Sequence, residues 1–189
     1  MLGMGEATPG FEDPLGVLRA CHRRIAARLD LLERLPEHVE RHGADASAQS
    51  AAQSVLNYFD RAAVHHHEDE EEDLFPMLRD ARARAGWDDR VLASLEQLTM
   101  EHERMAWRWA QVRPSLVALT RGKRVPTLRT EDLVRAYRAH MAVEDELIFP
   151  LAARLLDSKE LLRLGTAMQK RRGLSPQGVD AAGRRPKER

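Results

Sequence analysis

The residues best placed to do chemistry are histidines and carboxylates at helical spacing. The chain has 8 His in 189 residues. Two of them open the same signal, His66-x-x-x-Glu70 and His140-x-x-x-Glu144. Aligned on Phe75-Pro76 and Phe149-Pro150, the two segments match at an offset of 74, and Arg61-Ala62 falls on Arg135-Ala136. A second echo, at an offset of 80, pairs His22 with His102; Arg follows each at +2 and a large apolar residue, Ile25 or Met105, at +3. Residues four apart on a helix share a face, so each His and Glu can reach one point. Two such pairs, with one His from each of two further helices, provide four imidazoles and two carboxylates. A carboxylate can bridge two cations. Six such ligands, a bridging oxygen and open positions suit two iron-like ions, although His/Glu sites also accept zinc or manganese. The candidate metal ligands are His22, His66, Glu70, His102, His140 and Glu144. Both Glu residues fall on apolar stripes, and a buried carboxylate needs a cation or a proton.

Neighbouring residues carry blander expectations. A register shift of one would substitute His67 and Glu71 for His66 and Glu70. His65, His38 and His42 read as surface residues, and Cys21 as a small packing residue beside the site. Tyr58 and Tyr137 read as core. The acidic run Glu68–Asp73 reads as a solvated face with Glu70 turned inward.

The elements that must position these residues are helices. Ala, Leu, Arg and Glu dominate, and β-branched runs are almost absent. The first helix is expected from Asp13-Pro14, with its stripe on Leu15, Leu18, His22, Ile25, Leu29 and Leu32, and Pro36 ending or kinking it. His38–Ser47 reads as a connection. The second helix is expected over about Ala48–Arg79, a break at Ala85–Asp88, the third over about Asp88–Leu119 and the fourth from near Thr130. A short fifth helix is expected from Asp157 to about Met168. Residues 1–12 read as a flexible arm, 13–168 as the bundle and 169–189 as a disordered basic tail. The expected fold class is all-α, an up-down four-helix bundle.

The ordered pattern His22, His66-x-x-x-Glu70, His102, His140-x-x-x-Glu144, with Leu-Phe-Pro and Ile-Phe-Pro following, resembles the hemerythrin-like (HHE) cation-binding domain over about residues 13–157. The resemblance implies two iron ions, oxygen-bridged, on the six residues above, with Glu70 and Glu144 as bridges. Asp145, at +5 from His140, also fits the His-x-x-x-x-Asp spacing of the oxygen-carrying hemerythrins. Those proteins carry a His-x-x-x-His pair on the third helix. Here Ala106 follows His102 at +4 and Leu98 precedes it at −4. The missing fifth His turns the expectation from reversible oxygen carriage toward oxygen, peroxide or nitric oxide chemistry in detoxification or sensing. An iron-handling or repair module without turnover is the alternative.

Composition removes other classes. Lys+Arg 30 balances Asp+Glu 30, which disfavours bulk nucleic-acid binding and a polybasic membrane surface. The single Cys permits no internal disulfide and no Cys-based zinc site. No apolar run or leader-like segment stands out, so no membrane and a cytoplasmic location are expected.

Overall fold

The computed structural model describes residues 9–85 and 89–174. Helix-forming composition and apolar stripes at 3.6-residue spacing produce helices throughout, with no strand among the described residues. Helix α1 (Pro14–His42) starts where its sequence dictates. Asp13 accepts a hydrogen bond from the Gly16 N–H at 3.0 Å, and Pro14 sits in the first turn. Pro36 does not end it. Leu35 and Val39, on either side of the proline, are both buried, and their packing outweighs the roughly 3 kcal/mol that an interior proline costs. The expected connection at His38–Ser47 therefore shrinks to residues 43–45. Gly43, at φ 66, supplies the left-handed turn that stops the helix.

Asp45 caps α2 (Ala46–Phe59), accepting from the Ala48 N–H at 2.8 Å. After a step at Asp60-Arg61 come α3 (Ala62–Glu68) and, beyond a widened turn, α4 (Phe75–Ala85). Residues 86–88, where the next break was expected, lie outside the described residues. Helix α5 (Asp89–Thr120) continues unbroken through Pro114. Then follow α6 (Glu131–Val143), α7 (Phe149–Leu155) and α8 (Ser158–Arg171), the last opened by a reciprocal cap between Asp157 and Glu160. Helix α8 runs past Met168, so the first residues of the expected tail, 169–171, are helical. Residues 1–8 and 175–189 lie outside the described residues.

Contacts link α1 to α2, α2 to α5, α5 to α6 and α6 back to α1, the ring of an up-down bundle. Two dry clusters fill it. One holds Ile25, Leu29, Val55, Phe59, Met105, Val112, Leu133 and Tyr137. The other holds Leu15, Leu18, Leu74, Phe75, Leu95, Leu98, Ile148 and Phe149. Along every arm of the bundle the His and Glu candidates fall between the two clusters.

Two π-turns, at Asp69–Leu74 and Glu144–Ile148, bring the carboxylates to that level. The Phe75 N–H donates to the Glu70 carbonyl, and the Phe149 N–H to the Glu144 carbonyl, five residues back rather than four. Each turn closes just before the proline of a Phe-Pro pair. A proline ring collides with the carbonyl four residues earlier in an α-helix. Widening the helix by one residue moves that carbonyl aside. The repeated Phe-Pro thus accompanies the same bulge at each carboxylate.

Candidate metal centre

All six candidates converge and all are buried: His22, His66, Glu70, His102, His140 and Glu144. Each arm of the bundle supplies at least one. Glu144 Oε2 lies 3.2 Å from His22 Nε2 and its Oε1 3.1 Å from His140 Nε2. Glu70 Oε1 lies 3.4 Å from His66 Nε2 and its Oε2 3.5 Å from His102 Nε2. Each carboxylate therefore sends one oxygen to each pair of imidazoles. Two donor groups result, His22–His66–Glu70–Glu144 and Glu70–His102–His140–Glu144, each with its ligand atoms within 4.8 Å of one another. The shared members are the two carboxylates.

The outer face of the imidazoles is also built. His102 Nδ1 meets Glu71 at 2.5 Å, His140 Nδ1 meets Glu101 at 3.0 Å, and His22 Nδ1 lies at ion-pair distance, 3.1 Å, from Asp145. A carboxylate on Nδ1 holds the proton there and leaves the Nε2 lone pair free to face inward. Glu71 and Asp145 thus face the outer nitrogens of His102 and His22, whereas Glu70 and Glu144 face the inner ones. Their signal was in the sequence: both follow the inner Glu at +1, at the same offset of 74. Glu101 had no such signal, because its counterpart at the offset of 80 is Cys21 and not a carboxylate.

The electrostatics suit a cation. Burial first, then the Glu144 charge, pushes the Glu70 carboxyl well up. For Glu144, burial pushes upward, but His140 and His22 overcome it and hold the carboxyl well down. On His22, burial lowers the imidazole, yet Asp145 and Glu144 win and raise it to about 9. The inner nitrogen of His22, both nitrogens of His66 and all four oxygens of Glu70 and Glu144 are buried without a hydrogen-bond partner. Leaving one such group unsatisfied costs about 1–3 kcal/mol, more when it is charged. A cation among these atoms satisfies all of the inward-facing ones, so the donor set fits the metal that the spacing implies.

The match to known proteins is consistent with this geometry. Residues 13–152 fit the family model described as the Hemerythrin HHE cation binding domain. The chain belongs to this family. A Haemophilus influenzae protein, described only as uncharacterized, is 29% identical over 164 residues, covering 86% of this chain and 91% of its own length. As a hemerythrin-family domain, the chain is a helical cation-binding module carrying His/Glu ligand groups. No helix among the described residues is long and apolar enough to cross a membrane.

The surroundings correct one expectation. The run Glu68–Asp73 is not solvated throughout: Glu72 is exposed, but Asp69 is turned inward along with Glu70. Asp69 is fully buried and pairs with Arg171 and, through both oxygens, with Arg172 of α8. Arg171 also reaches Glu72 at 2.9 Å and Asp73 at 2.6 Å, and Glu68 pairs with His65 at 3.0 Å. Tyr58 donates to the Cys21 carbonyl at 3.2 Å, and Tyr137 packs edge-on against Phe59, so both tyrosines are core residues. Cys21 is buried and free, and burial raises its thiol.

Proposed function

We propose that this hemerythrin-family protein is a non-haem di-iron protein that binds oxygen, peroxide or nitric oxide for redox detoxification or sensing. Its metal ligands in this reading are His22, His66, Glu70, His102, His140 and Glu144. One observation carries it: each buried carboxylate presents one oxygen to each pair of imidazoles, as two ions sharing two bridges require. When bound, iron supplies one-electron chemistry and affinity for small diatomic ligands.

The rest belongs to the chain. Leu18, Phe75, Leu98 and Phe149 on one side, and Ile25, Phe59 and Met105 on the other, keep bulk water from the centre. Asp145, Glu71 and Glu101 fix the orientation of three imidazoles. An open surface groove of about 410 Å³ lined by Arg19, His22, Arg23 and Met141 borders the outer side of His22. Four imidazoles rather than five leave more open coordination than an oxygen carrier has. No nucleic-acid or membrane partner is part of this reading, and a cytoplasmic setting is.

The test is metal analysis with absorption spectroscopy on iron-loaded protein. Iron with a charge-transfer band that shifts on adding azide or peroxide is expected, and both should be lost in Glu70→Ala and His140→Ala. Wild-type metal content in those variants would refute the ligand assignment. The iron-handling alternative draws support from the part-exposed outer carboxylates Asp145 and Glu71, which offer a cation a route outward. Rapid loss of iron to a chelator from folded protein would favour it.

A further inference from the structure

The two donor groups are related by the sequence repeat. His22 corresponds to His102, His66 to His140, Glu70 to Glu144, and the outer partners Glu71 and Asp145 correspond as well. The residues that follow the two repeated histidines are chemically unlike. His67 follows His66, whereas Met141 follows His140. Met141 lines the groove beside His22. His67 lies against His102, with ring centroids 4.0 Å apart and planes 12° apart, and its centroid is 6.2 Å from that of His140. Tyr137 stacks on the same imidazole at 5.8 Å. The Nε2 atom of His67 is buried and has no hydrogen-bond partner. Yet His67 belongs to neither donor group. A buried imidazole nitrogen fixed by two ring contacts, beside the inner histidines but outside the donor set, is left to bond what enters the centre.

We propose that His67 is a ligand-binding residue: its Nε2–H donates to a small anionic or diatomic molecule on the His102–His140 half, which the His22–His66 half, with Met141, cannot match. The two metal positions are then inequivalent, and the small ligand takes the one nearer His67. This rests on the di-iron reading above.

The test compares azide binding to iron-loaded wild-type, His67→Phe and His67→Gln proteins, following the azide-dependent absorption band, with iron content and Tm measured alongside. Phe keeps the ring stack and removes the donor, whereas Gln keeps an N–H. In His67→Phe, iron content should equal that of the wild type and the azide Kd should rise about tenfold, the equivalent of one net hydrogen bond. His67→Gln should recover most of the affinity. Unchanged azide affinity in His67→Phe would make His67 a packing residue and overturn the proposal. Lowered iron content in that variant would make it a metal ligand and overturn it equally. A wild-type protein that holds iron but shows no azide band would instead refute the open-site function, and this proposal with it.

Discussion

At the residue scale, position within the shell decides the effect of a substitution. Glu144 gives an oxygen to each half of the centre, whereas Asp145 touches only the outer nitrogen of His22. Glu144→Ala should therefore abolish binding of both ions. Asp145→Asn should leave the stoichiometry intact and weaken metal affinity about 10–100-fold, the usual scale for an outer partner. Competition with a calibrated chelator reads both. Equal losses in the two variants would mean that Asp145 is itself a bridge. The six inner residues were legible because the motif occurs twice, so each half fixes the register of the other. The outer shell was less legible. Helical periodicity says which residues share a face, but not that a half-exposed carboxylate at +1 will turn to an imidazole on another helix.

At the element scale, α8 is the part that periodicity described least well. It looked like an appendage ahead of a basic tail, yet its last turn neutralises the π-turn that carries Glu70. Burial keeps the Asp69 carboxyl above its ordinary range even between two guanidiniums. Arg172→Ala should destabilise the fold by about 2 kcal/mol at neutral pH, the scale of a charge-assisted hydrogen bond. The loss should shrink as the pH falls and Asp69 takes up a proton, because only the ionised carboxylate needs the cation. Denaturant titrations at pH 5 and pH 8 check the sign. Helix α8 also carries a close approach. A Cβ added at Gly165 would stand 1.9 Å from the Phe11 carbonyl, which is backbone and cannot swing away. Gly165→Ala should cost about 1–3 kcal/mol as overpacking and lower Tm. An unchanged Tm would show that residues 9–12 are not held against α8. The helix end or kink expected at Pro36 was misjudged for a related reason: proline's local preference was weighed without the buried side chains on either side of it.

At the scale of the whole molecule, the all-α class and the bundle topology follow from four amphipathic arms and were readable. The two-cluster core was less visible, since one sequence stripe does not show where a dry core is interrupted. The fold should be acid-sensitive through three carboxylates. The Ala48 N–H lowers Asp45, Arg113 lowers Asp60, and the Glu160 N–H lowers Asp157. Each carboxylate has a folded pKa below its unfolded value of about 3.9. Their stabilisation is thus complete above about pH 4 and is lost as the pH falls through the folded values. The midpoint of acid unfolding should move to higher pH in Asp60→Ala, which gives up contacts to both Arg113 and Trp109. The shared carboxylates carry a last consequence. His22, His66 and Glu70 lie before residue 86 and His102, His140 and Glu144 beyond residue 88, yet each donor group needs a carboxylate from both sides. Neither portion of a chain cut between residues 85 and 89 can complete a donor group alone. Cation uptake should then act as glue between the two fragments: each added ion should tighten their reassociation, and a chelator should drive them apart.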